Sequence, residues 1–129
     1  MHSIEILSDR HKPFCKTLCH WFMGEYLSDH SIDLTVVHMD LTDEGVDGWC
    51  MRESDYEFII QIEETLQGNE YKKTLLHELY HTYQHLLNIP RSELCATLSE
   101  QQNLDRFLKT LLTRFAPVDR KTLTSLRTL

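Results

Sequence analysis

The segment from Thr74 to Leu87 limits this chain most, because it reads as a helix with two unlike faces. At about 100° per residue, Leu75, Leu76, Leu79, Tyr80, Tyr83, Leu86 and Leu87 share one arc of about 140°. His77, Glu78 and His81 occupy the opposite arc, together with Thr74 and His85. The leucine arc has to be covered by a core. The His–Glu arc is expected to face a cleft or solvent.

What could cover the leucines is written on either side. Phe14, Leu18, Trp21 and Phe22 recur at helical spacing, which predicts an amphipathic helix over about residues 11–27, after the start signals Ser8 and Asp9. The stretch IDLTVVHM alternates Ile32, Leu34 and Val36 with more polar partners, the pattern of a half-buried strand. VDGWCMR and YEFIIQI flank ESD and predict a β-hairpin in which Phe58, Ile60 and Ile62 share a face. After Pro90, Ser92 is placed to cap a further helix. Leu104, Phe107, Leu108, Leu111, Leu112 and Phe115 form its apolar stripe. The stripe slips phase near Gln101–Asn103, which predicts a bend or a break there. The expected fold class is α+β: an N-terminal helix, a small three-stranded antiparallel or mixed sheet, and the remaining helices packed on one face of it.

A chain of 129 residues has room for one such core and not two, so residues 1–129 are expected to form a single domain. The tail 117–129 is weakly basic and expected to be loosely ordered. The net charge of −7 argues against electrostatic attraction to nucleic acid or to anionic membranes. The start MHSIEILSDRHK lacks the layout of a signal peptide, and no apolar run approaches a membrane span. These features lead to the expectation of a cytoplasmic protein. In that setting Cys15, Cys19, Cys50 and Cys95 are expected to be free thiols. The string CKTLCH has one residue too many between its cysteines for haem attachment.

The polar arc carries His77-Glu78-x-x-His81. Histidines four apart sit one above the other on a helix, so both rings can converge on one ion. Glu78, adjacent in sequence, points beside the ion and can take a proton from its water, whose pKa a zinc ion lowers to about 7. These residue types at this spacing are those of metal-assisted hydrolysis. The alternative is a solvated helix face with no metal, an α+β interaction module. His85 lies about 12 Å along the axis from His77, too far to share a tetrahedral ion with both histidines. It is read as a rim residue. Glu93 and Glu100 remain for a third ligand. Each also has a plain reading: Glu93 as an acid favoured at a helix start, Glu100 as part of a solvated helix face.

The segment HELYHTYQHLL…SELCAT resembles the active-site region of small gluzincin-type zinc metallopeptidases, the minigluzincin and SprT-like group of single-domain proteins. In gluzincins a second helix supplies a Glu from an E-x-x-A-D-like string. ELCAT at 93–97 is similar, with Glu93 at the ligand position and Ala96 at the small-residue position. Thr97 stands where that pattern has an acid. The SprT-like branch closes its site with a further histidine, and none follows His85 here. The resemblance spans about residues 46–100 and favours Glu93 as the third ligand. It implies a zincin-like arrangement in which an edge strand runs above the active-site helix and pairs with an extended peptide. YEFIIQI is similar in placement, so Phe58, Ile59, Ile60, Gln61 and Ile62 are the expected substrate-holding backbone.

The resulting expectation is a zinc-dependent metallopeptidase acting on a peptide or protein substrate. His77, His81 and Glu93 hold the zinc, and Glu78 is the general base. A zinc-containing binding or regulatory protein of the same fold with little turnover is the alternative, and an intact Glu78 argues against it. Tyr80 and Tyr83 lie on the core arc, away from any oxyanion. His30, His38 and His85 have suitable chemistry for that role.

Overall fold

The computed structural model describes residues 2–8 and 11–114. The tail 117–129 therefore lies outside the described residues. In chain order the elements are β1 (Ser3–Leu7), α1 (Lys12–Tyr26), β2 (Asp33–Met39), β3 (Gly48–Ser54), β4 (Glu57–Glu63), α2 (Gly68–Leu86) and α3 (Glu93–Arg114). A short 3-10 turn, Thr42–Glu44, joins β2 to β3.

The fold is α+β, as the alternation and helical stripes predict, with a four-stranded mixed sheet in the order β1-β2-β4-β3. The extra strand is β1, which pairs parallel with β2 across the α1 crossover. Five residues with a single buried side chain, Ile6, give little pattern to read. Pairing with β2 is what makes them a strand. β2 runs parallel to β4, and β3 folds back antiparallel on β4.

The buried apolar residues of the sheet alternate and share one face: Ile6, Leu34, Val36, Phe58, Ile60, Ile62 and Cys50. The core lies between this face and the helices. α1 contributes Phe14, Cys15, Leu18, Cys19, Phe22 and Met23, and α2 contributes Tyr71, Leu75, Leu76 and Leu79. α3 packs across α2 and reaches α1 through Phe107, whose ring stands 5.8 Å from Phe14 and 5.5 Å from Trp21.

Besides the strand count, two expectations change here. First, α3 is continuous through Gln101–Asn103. The polar slip is absorbed because Asn103, 1% exposed, accepts a 2.6 Å hydrogen bond from the Tyr26 hydroxyl. Second, Phe58–Ile62 is not an edge. It lies inside β4, bonded to β2 on one side and β3 on the other. The composition explains the order. β4 has the nearly continuous apolar run of a central strand, while β3 carries Arg52, Glu53 and Ser54, residues suited to an edge. The free edge beside α2 is therefore β3.

Candidate metal centre

The polar arc of α2 does not face open solvent. His81 is fully buried, Glu78 is 5% exposed, and Thr82 and Gln84 are buried with them. β3 and α3 enclose this side. From β3, Cys50 Sγ lies 3.2 Å from Thr82 Oγ1. From α3, Glu93 reaches over both histidines.

The turn between the helices makes that return possible. Asn88 adopts a left-handed conformation with φ 55°. Around it Ile89 N–H donates to the Gln84 carbonyl at 3.0 Å and Asn88 N–H to the His85 carbonyl at 3.2 Å. This is a Schellman closure of α2, and Asn is one of the few residues that accept its geometry. Pro90 keeps the chain from resuming the helix. α3 then starts at Glu93, where the Ser92 hydroxyl accepts from the Cys95 N–H at 3.1 Å as an N-cap, worth about 1 kcal/mol.

His77, His81 and Glu93 each offer a ligand atom, all within 4.8 Å of one another, so the group could hold a metal ion. The hydrogen bonds behind them show which atoms are free to do so. Gln84 Nε2 donates to the Ser92 carbonyl at 3.3 Å, which turns Gln84 Oε1 toward His81 Nδ1 at 2.8 Å. An amide oxygen only accepts, so His81 carries its proton on Nδ1. Glu100 Oε1 accepts likewise from His77 Nδ1 at 2.8 Å. Once Nε2 is deprotonated, each ring presents a lone pair there. Those two nitrogens stand 3.2 Å apart. Glu93 Oε2 is 2.8 Å from His77 Nε2, and its Oε1 is 3.0 Å from His81 Nε2. Converging lone pairs repel unless a proton or a metal cation lies among them. A tetrahedral ion with bonds of about 2.0–2.1 Å spaces its ligand atoms roughly 3.3 Å apart, close to what is found. The donor set fits a divalent metal.

Glu93 and Glu100 thus take different places. Glu93 meets Nε2 of both rings, and Glu100 meets Nδ1 of His77. Burial pushes the Glu93 carboxyl up, but the hydrogen bonds and charge of His77 and His81 outweigh it and hold the group below the usual range. Both acids can reach the histidines because Glu93 and Glu100, seven apart on a helix, share a face.

Glu78 lies beside this group. Its Oε1 is buried without a hydrogen-bond partner. Burial pushes its pKa up to about 7, and the carboxylates of Glu93 and Glu100 add to this against the opposing charges of His77 and Arg91. Gly48 of β3 makes room for it: a Cβ there would stand 3.0 Å from Glu78 Cγ, 3.1 Å from Oε2 and 3.2 Å from Thr74 Cγ2. A glycine inside a strand often marks such a close approach, which was the available sequence signal. A cleft of about 410 Å³ opens in front, walled by Asp47, Gly48, Trp49, Thr74, Arg91 and the acids named above.

The three histidines considered for an oxyanion lie elsewhere. His38 bonds the Tyr71 hydroxyl at 2.8 Å, His30 lines a different cavity, and the His85 ring packs near Phe58. Arg91, at 3.3 Å from Glu93 Oε1, is the basic side chain that lines the cleft. Its position between Pro90 and the cap gives it no motif of its own. The four cysteines are free, with Cys95 exposed and the others buried. Among the described residues no helix is long and apolar enough to cross a membrane. Compared with protein-family models, curated proteins and solved structures, the chain matches none.

Proposed function

We propose that this protein is a zinc-dependent metallopeptidase with a gluzincin-like site. The observation that carries the reading is the meeting of His77, His81 and the Glu93 carboxylate beside a buried, unpartnered Glu78 oxygen. A structural zinc site has no use for a base at its open side. This distinguishes the reading from a zinc-containing binding protein with no turnover.

His77, His81 and Glu93 would hold the metal. Bound zinc would supply a Lewis acid and bring the pKa of its water to about 7. The chain's own residues supply the rest. Glu78, tuned near neutrality, accepts a proton from the attacking water and passes it to the leaving amine. Glu100 and Gln84 hold the two imidazoles in the tautomer that leaves Nε2 free. Arg91, which lines the cleft, would neutralise charge growing on the scissile carbonyl oxygen.

Substrate backbone would pair with β3, the free edge. Glu63 N–H donates to the Asp47 carbonyl at 2.8 Å. In an antiparallel ladder bonding alternates, so the amides and carbonyls of Gly48 and Cys50 turn outward, next to the cleft.

The test is zinc content and peptide digestion of wild type and Glu78→Gln, read by mass spectrometry. The variant should keep about one zinc per chain and lose cleavage at least ~100-fold. Wild type that carries zinc and cleaves nothing in a diverse peptide library would sink the enzymatic reading.

A further inference from the structure

The cleft in front of Glu78 does not end at Trp49. The same indole, 37% exposed, also walls a second cavity of about 450 Å³ on the outer face of the sheet. Its floor is apolar, from Met39, Met51 and the Trp49 ring, and its rim carries Asp40 and Glu44. Asp47 continues the acidic rim into the first cleft. None of the ion pairs among the described residues involves Asp40, Glu44 or Asp47. The two cavities share a wall and lie on opposite faces of one free strand edge, with the unpartnered Glu78 oxygen buried in the first.

A strand added to that edge sends alternate side chains to opposite faces. One set enters the cleft with His77 and Glu78. The other crosses Trp49 and Met51 toward Asp40 and Glu44. The cavity on that side is lined by Met39, Met51 and Trp49 and by the acids Asp40 and Glu44. A carboxylate is repelled there. A lysine or arginine fits: its methylene stem can cover the apolar lining, and its cation is drawn to the indole face and the two carboxylates.

We propose that the site selects peptides bearing lysine or arginine at positions that project over Trp49 into the pocket rimmed by Asp40 and Glu44. This rests on the peptidase reading, since it uses the same peptide-bearing edge. It adds the class of substrate, a cationic peptide bound in extended form.

The experiment uses peptides matched except at one scanned position, carrying lysine, arginine, norleucine or glutamate. Cleavage by zinc-loaded protein and binding by fluorescence anisotropy are both measured. Lysine and arginine should exceed norleucine by about tenfold, the scale of one cation–π contact plus one exposed ion pair. The preference should fall on alternate positions only and weaken in high salt. Glu44→Lys, on an exposed turn, should abolish it, because the new cation cancels Asp40, and Asp47→Asn should leave its positional parity unchanged. Equal binding and cleavage of all four peptides, or a preference that ignores Glu44→Lys, overturns the proposal. Selective binding that Glu44→Lys abolishes, with no cleavage, supports the pocket and removes the peptidase reading alone. Cleavage with no selectivity removes the pocket alone. A protein that neither binds nor cleaves any peptide removes both.

Discussion

Replacing Glu78 by Gln should make the metal-free protein more stable at alkaline pH, and the size of the effect follows from the carboxyl's surroundings. Glu78 is 5% exposed, and one of its oxygens is buried with no partner. Burial first, and then the charges of Glu93 and Glu100, raise its pKa from 4.5 to about 7. Between those values the folded protein keeps a proton that the unfolded chain has lost. The folded state therefore binds more protons, and stability falls as pH rises through the window. At about 1.4 kcal/mol per pH unit, the full fall is roughly 3 kcal/mol. Glutamine has the same shape and does not ionise, so the variant is spared this loss. Urea unfolding in the presence of a chelator, followed by circular dichroism from pH 5 to pH 8, measures it. The two proteins should be similar at the acid end. They should diverge steadily, with the variant ahead by roughly 3 kcal/mol at pH 8. Adding zinc should shrink the gap, because a divalent cation beside the carboxyl favours its charged form. Parallel pH profiles for wild type and variant would refute the buried, raised carboxyl and with it the tuned base.

Other outcomes test the surrounding parts. Glu93→Ala should abolish tight zinc binding, while Glu100→Ala should weaken it about 10–100-fold, as loss of support behind a ligand does; equilibrium dialysis separates the two, and equal effects would mean that Glu100 reaches the ion. Gln84→Leu should release His81 from its single tautomer, a change visible in the imidazole nitrogen shifts of the metal-free protein by NMR. Gly48→Ala should cost about 1–3 kcal/mol by crowding Glu78 and Thr74, measured by thermal unfolding. In the native protein a thiol reagent should label Cys95 quickly and leave Cys50, whose burial pushes it up to about 12, untouched; in denaturant all four cysteines should react without prior reduction.

Much of the site was legible in the sequence because a helix obeys a fixed period. The i, i+4 spacing of His77 and His81 places their rings together in any helix, and the leucines opposite guarantee that the helix is held against a core. The break at Asn88–Pro90 and the cap at Ser92 are local chemistry, so the return of Glu93 was readable as a possibility. The competition between Glu93 and Glu100 was not. Both lie on one face of α3, and only the crossing of α3 over α2 sets one carboxylate on Nε2 and the other on Nδ1. Strand order was only partly legible. The charged end of β3 suits an edge, but the parallel pairing of β4 with β2, through contacts far apart in the chain, is what places β3 there. That choice made β3 the free edge, brought Gly48 against Glu78, and buried a carboxyl that the helical wheel alone would leave in a cleft or in water. Its raised pKa is a property of that burial: the sequence by itself determined which acid stands beside the histidines, and only the tertiary structure decided how strongly it holds its proton.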